Sequence, residues 1–259
     1  MKNLLLLSIP AAILLSACTS SVQTTSGAAY LAGYDGSYEV SGSAGPSATD
    51  ADVRRIAAIE PNLKFPARIG IARVQNGALG VVPEGEGVIW QDLAEDLGPL
   101  YGEFVPVSPL IAAMVSEKPA AGSNAASRVI ADIRRGAARQ HLDYVLVYEV
   151  SSTKSNSASA LSVADLTVIG MFVLPGRNIE AEATASGLVI DVRNGYPYAT
   201  MTAFADKKGL SRTISAWSKQ AQLARTAEQK AVLELSDDVR DAMKALGEAF
   251  VAQQAGAND

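Results

Sequence analysis

The chain of 259 residues has one cysteine and one histidine, and only 6% of it is aromatic. A single thiol excludes an intrachain disulfide, and a single imidazole excludes metal sites built from several histidines. So few aromatic rings leave few stacking platforms for sugars or bases. Positive charge is also scarce: Lys and Arg number 22 against 27 Asp and Glu, giving a net charge of −5 without a long basic block. Phosphate backbones are bound by clustered cations, so no nucleic-acid partner is expected. No apolar run reaches the roughly 20 residues that cross a bilayer as a helix. GxSxG elbows, P-loops and GxGxxG turns are missing as well. No catalytic group, metal or cofactor is expected on these grounds.

What is there starts at the amino end. Met1-Lys2-Asn3 is a short positive stretch, followed by an apolar run from Leu4 to Leu15 broken only by Ser8 and Pro10. The run is too short to span a membrane and fits the apolar core of a secretory signal. It ends in Leu15-Ser16-Ala17-Cys18. Small residues before the cut suit a narrow peptidase cleft, and the next thiol is the nucleophile that receives a lipid. The one cysteine of the chain stands where a bacterial lipobox requires it. The bland alternative is an ordinary signal peptide that happens to contain a cysteine. On the lipobox reading, residues 1–17 are removed and Cys18 becomes an acylated amino terminus. Each acyl methylene then adds about 0.8 kcal/mol of membrane binding, so membrane lipid is the first expected partner. Thr19 replaces the Asp that commonly signals inner-membrane retention, which points to a periplasm-facing protein anchored in the outer membrane.

Residues 18–60 are rich in Ser, Thr, Gly and Ala and read as a flexible tether carrying the lipidated cysteine. Within it, Tyr30, Tyr34 and Tyr38 recur every four residues, although Gly33 and Gly36 weaken a helix there. They are either a strip for contact with a partner or part of a sticky linker. Asp50 to Ile59 suits a short helix that Pro61 stops.

The expected periplasmic domain covers residues 61–255. Arg68 to Val74 is a β-branched run, hence a strand. Val88 to Leu100 carries Ile89, Leu93, Leu97 and Leu100 at helical spacing. Glu103 to Val107 is a short strand, placed at an edge or bulge by Pro106. A helix capped by Ser123 or Asn124 follows, burying Val129, Ile130, Ile133 and Ala137. Asp143 to Val150 is apolar on both faces, as in a central strand covered twice. Beyond it, Val163 to Leu174, Ile179 to Val192 and Tyr198 to Ala205 read as three strands, with a hairpin signal at Asn194-Gly195. The chain from Thr213 onward is helical, in one piece or two, with a kink or break at Ser236-Asp237-Asp238. The fold class is therefore α/β or α+β. A mixed sheet, parallel in its first half, continues as an antiparallel meander with the C-terminal helix packed on it.

The segment LSVADLTVIGMFVLPGRN, Leu161 to Asn178, resembles the rhombotarget lipoproteins, a poorly characterised bacterial family. PARIGIARV, LDYVLVYEV and SGLVIDVRNG fit the same pattern, and the resemblance covers roughly residues 61–250. It implies an envelope address and a fold, and it brings no established activity. The architecture is also similar to the α/β domain of the curli-secretion lipoprotein and to the amino-terminal domain of the Tol propeller protein. Curli-type pores add long amphipathic hairpins, whereas SSTKSNSASA at 151–160 has no alternating apolar face, so a pore is not expected.

Remaining candidates for chemistry have simpler explanations. His141, the only imidazole, falls at a helix end, where the dipole accounts for it. Glu180 and Glu182 share one strand face with Thr184 and Ser186, the pattern of a solvated face. Asp237-Asp238 suits a helix cap. Glu228 falls in the apolar phase of its helix, meaning an interface or a wide helix face. The function expected is binding or scaffolding of an envelope protein or cell-wall component without catalysis. The alternative is a subunit of a ring-forming envelope assembly or secretion accessory.

Overall fold

The computed structural model describes residues 19–35, 48–118, 124–152, 181–206 and 217–256. From the amino end, strand β1 (Thr19–Val22) leads to helices α1 (Gly27–Asp35) and α2 (Ala48–Ala57). Strand β2 (Ala67–Gln75) turns through Asn76-Gly77 into β3 (Ala78–Leu79). Helix α3 (Glu84–Leu97), strand β4 (Gly102–Pro106), helices α4 (Pro109–Val115) and α5 (Ala125–Arg139), and strand β5 (Tyr144–Ser152) follow. Strands β6 (Ala181–Asp191) and β7 (Pro197–Asp206) and the long helix α6 (Trp217–Gly256) complete the described chain.

The strands form one mixed sheet in the order β1-β7-β6-β5-β2-β3, with β4 also paired to β2. Strand β2 has β4 and β5 as parallel neighbours and β3 as an antiparallel one. From β5 through β6 and β7 to β1, all pairing is antiparallel. This is the mixed sheet anticipated from sequence, with a parallel half, a meander and α6 packed on it.

The path explains the layering. From β2 the chain steps sideways to β4 through α3, then steps back across β2 to β5 through α4 and α5. Right-handed crossovers in opposite directions put their helices on opposite faces. Accordingly Trp90, Leu93 and Leu97 of α3 join Val232, Leu235, Val239 and Leu246 of α6 over one face, against Ile69, Ile71, Leu146, Tyr148 and Met201. Ile133 and Ala137 of α5 cover Ala72, Val74, Val145 and Val147 on the other. Asn124 caps α5, its Oδ1 accepting from Ser127 N at 2.7 Å. Strand β4 contains Pro106 and borders β2 on one side, the edge position that a missing N–H allows.

Three expectations change. The stretch read as a flexible tether contains a strand laid on β7 and a helix, because Thr19–Val22 pairs with Ala199–Thr202. The break at Ser236 is absent, and α6 is continuous across it. Ser236 donates its hydroxyl to Leu233 O at 2.7 Å and Asp237 pairs with Arg240, so these residues are accommodated inside the helix. The short helix α4 was not foreseen. The strand expected at Val163 to Leu174 lies outside the described residues.

Candidate functional site

Alternation along β2 and β5 puts two polar side chains into the larger core. Ile69, Ile71 and Arg73 share a face, as do Tyr144, Leu146 and Tyr148, and Arg73 stands opposite Tyr148 in the parallel register. Glu86, in the first turn of α3, meets both of them. Its Oε2 accepts from Arg73 Nε at 2.9 Å and from the Tyr148 hydroxyl at 2.7 Å. Glu228 of α6 lies 3.8 Å from the Arg73 guanidinium and accepts from Ser152 Oγ at 2.8 Å. Arg73 and Glu86 are only 5% and 3% exposed. Burial, and then the adjacent Glu86 carboxylate, push the Tyr148 phenol well above its usual range. The Trp90 ring meets Tyr148 edge-on at 5.1 Å, and its buried indole N–H has no hydrogen-bond partner among the described residues. The cluster ties α3 and α6 to β2 and β5. Its charged groups are spent on one another, so it acts as a lock on the fold.

A second polar set closes the opposite end of the sheet. Asp191, fully buried, accepts from the backbone N–H groups of Arg193 and Asn194 and from the Arg193 guanidinium. The Tyr198 and Tyr144 hydroxyls accept from Asn62 N at 2.7 Å and Lys64 N at 2.6 Å, fixing the chain that enters β2. Burial is the main reason that the Tyr144 phenol is pushed up to about 12, and it raises Tyr198 further.

Among the described residues, an open feature lies on the α4–α5 side. A groove of about 620 Å³ runs between β3, α4 and α5, lined by Leu79, Pro109, Ala112, Arg128, Asp132 and Arg135 among others. Gly136 lets the helices approach closely: a Cβ there would lie 2.8 Å from Ala112 Cβ. Arg135 is held by Asp132 at 3.0 Å and Glu117 at 2.8 Å, so the charged wall is pre-oriented. Beside the groove, Leu110 and Met114 of α4 are one turn apart and 80% and 77% exposed. A small apolar floor with charged walls suits a side chain or short segment of a partner. The lining residues include no histidine or cysteine.

The residues singled out from sequence are scattered. Leu15, Ser16, Ala17, Cys18, Tyr38 and Glu180 lie outside the described residues, as do the side chains of Tyr34 and Glu182. Tyr30 sits on α1, 47% exposed. His141 follows α5 in a left-handed conformation (φ 58°), ending the helix at an exposed position. Glu228 faces the Arg73 cluster from α6. Among the described residues, no group of three or more His, Cys, Asp or Glu could hold a metal ion, and no helix is long and apolar enough to cross a membrane.

Arg73, Glu86 and Tyr148 were missed as a set. Their signal was present: a charge inside RIGIARV and a phenol inside DYVLVYEV, both in strands covered twice. The groove gave no comparable signal, since it depends on a helix that was not foreseen.

Neither a family model nor a curated protein matches the sequence. Among solved structures, a PelC dodecamer from Paraburkholderia phytofirmans is similar at a TM-score of 0.28 and 13% identity, over 68% of this chain and 93% of that one. A likeness this distant carries no argument about fold or function.

Proposed function

We propose that the chain is a lipid-anchored envelope protein of the rhombotarget type. Acylated Cys18 holds it in the outer membrane, facing the periplasm, and its α/β domain binds or scaffolds another envelope component without catalysing a reaction. The observation that carries the binding role is the groove between β3, α4 and α5, with its oriented Arg135 and the exposed Leu110 and Met114 beside it. The lipobox at Leu15 to Cys18 supports the anchor. Support for a non-catalytic role comes from the buried ionisable groups Arg73, Glu86 and Asp191, each engaged in holding elements together.

Two measurements test this reading. Metabolic labelling with an alkynyl fatty acid should mark the wild-type chain and not Cys18→Ala. A photocrosslinking residue at Ala113, on the groove, should give a discrete adduct in intact cells, whereas one at Glu248 on α6 should not. Equal or absent adducts at both sites oppose the binding role. A turnover abolished by His141→Ala with the fold intact would overturn the non-catalytic reading.

The exposed Leu110 and Met114 also favour a second reading, a subunit of a ring-forming envelope assembly. Light scattering over a concentration series decides: a defined oligomer weakened by Leu110→Asp supports it, and a monomer throughout opposes it.

A further inference from the structure

The chain is fastened to the sheet at once after Cys18. Thr19, one peptide bond beyond that residue and hence about 3.8 Å away between Cα atoms, stands opposite Thr202 of β7. Val22 stands opposite Ala199. The ladder continues past the strand: Gln23 N donates to Tyr198 O at 2.9 Å, and the Gln23 side-chain amide to Pro197 O at 2.8 Å. The Tyr196 hydroxyl donates to Thr25 O at 2.8 Å. Gly27 is seated so closely that a Cβ would lie 2.4 Å from Ala57 O, and Ala28 N donates to Glu60 Oε1 at 2.8 Å. From Thr19 to Ala28 there is no slack, so the segment gives the domain no freedom to rise away from its anchor.

We infer that the partner of the β1 edge is a lipid bilayer surface. The corner of the sheet formed by β1 and β7 lies against the membrane, and the β3–β4 edge with the α4–α5 groove is held on the far side. The inference rests on the acylation of Cys18 proposed above, and it replaces a loose tether with a fixed orientation. Five strand spacings of about 4.8 Å separate β1 from β3, so roughly 24 Å of sheet stands between the anchored edge and the strand that lines the groove. Strand β1 reads TSSV and has no charge, and Ser20 and Ser21 are exposed at the edge. A headgroup layer can therefore approach this edge without burying an ion.

The test uses the full chain, purified from membranes and reconstituted into phosphatidylethanolamine–phosphatidylglycerol vesicles. The mass of its amino-terminal peptide reports whether Cys18 is acylated. A fluorophore on Leu110→Cys then reports energy transfer to acceptors in the headgroups, and hydrogen exchange reports on Ser21 and Gln23, whose N–H groups face β7. A second form has about twenty Gly-Ser residues inserted between Cys18 and Thr19. The expected result is a narrow distance distribution for the native spacing, a broad one at least twofold weaker in mean transfer for the insertion, and slowed exchange at Ser21 and Gln23 in both. An acylated protein whose transfer matches that of the insertion form, or whose Ser21 and Gln23 amides exchange as free chain, overturns this inference alone. An unmodified Cys18 overturns the anchor reading and this inference together.

Discussion

Arg73 and Tyr148 stand opposite each other in parallel strands β2 and β5 and converge on a single oxygen, Oε2 of Glu86. That convergence commits α3 to one depth and one rotation over the sheet. A charged and a phenolic group inside the core each need a hydrogen-bonding partner, and here one carboxylate oxygen serves both.

Removing that acceptor should be costly. Glu86→Ala takes from buried Arg73 its 2.9 Å partner, with the Glu228 carboxylate farther off at 3.8 Å, and a broken buried pair costs about 3–5 kcal/mol. The exposed pair of Arg68 and Glu103 is the contrast: Glu103→Ala should change stability by less than about 1 kcal/mol. Urea denaturation of the two variants measures the difference, and equal losses would show that the cluster is not a lock.

The groove depends on helix approach at Gly136. Gly136→Val puts a side chain into Ala112, and α4 must shift, at an expected cost of about 1–3 kcal/mol. Crosslinking from Ala113 should fall with it. Gly33→Ala meets nothing within 4 Å in α1 and should be neutral or stabilising by up to about 1 kcal/mol. Thermal melts of both variants check the pair.

Acid should loosen the amino-terminal segment first. The N–H of Ala28, then the Ser26 hydroxyl, holds the Glu60 carboxyl below its ordinary value of 4.5. A carboxyl lowered in the folded state contributes stability above its unfolded value, and that stability is lost as pH falls through the lowered one. Exchange at Gly27 to Tyr30, corrected for the intrinsic rate, should therefore accelerate below about pH 4. In Glu60→Gln this acceleration should be absent.

Alkali acts through the phenols. Burial pushes Tyr144 up to about 12 and also raises Tyr148, Tyr196 and Tyr198. A raised phenol holds its proton in the folded state, so its contribution is complete below the unfolded value near 10 and declines as pH rises toward the folded one. Phenolate absorbance should thus appear in two phases, with the second coinciding with loss of far-ultraviolet helix signal above pH 10. A single phase complete before unfolding would contradict the burial.

The reading from sequence succeeded where burial is dictated by short-range pattern. RIGIARV and DYVLVYEV became the central parallel strands β2 and β5, and Asn194-Gly195 became part of the β6–β7 turn, with Gly195 at φ 78°. It failed where a local preference was outvoted. Ser236-Asp237-Asp238 has the composition of a helix cap, but the apolar stripe from Val232 to Leu246 runs past it on one side of a single helix. For α3, the pattern gave Leu93 and Leu97 but missed Trp90 and Glu86, because a buried glutamate looks like surface until its arginine is known.

The sequence by itself determined the candidate anchor at Cys18, the alternation of strands and helices through β5, and that the strand from Asp143 to Val150 is covered on both faces. These follow from composition and from periods of two and of about 3.6 residues, which need no knowledge of distant contacts. Only the tertiary structure decided that Thr19–Val22 belongs to the sheet, that Arg73, Glu86 and Tyr148 share one oxygen, and that a groove opens between β3, α4 and α5. Each of these joins residues far apart in the chain. A polar Thr-Ser-Ser segment is weak as a strand alone and becomes one because β7 offers it an unpaired edge.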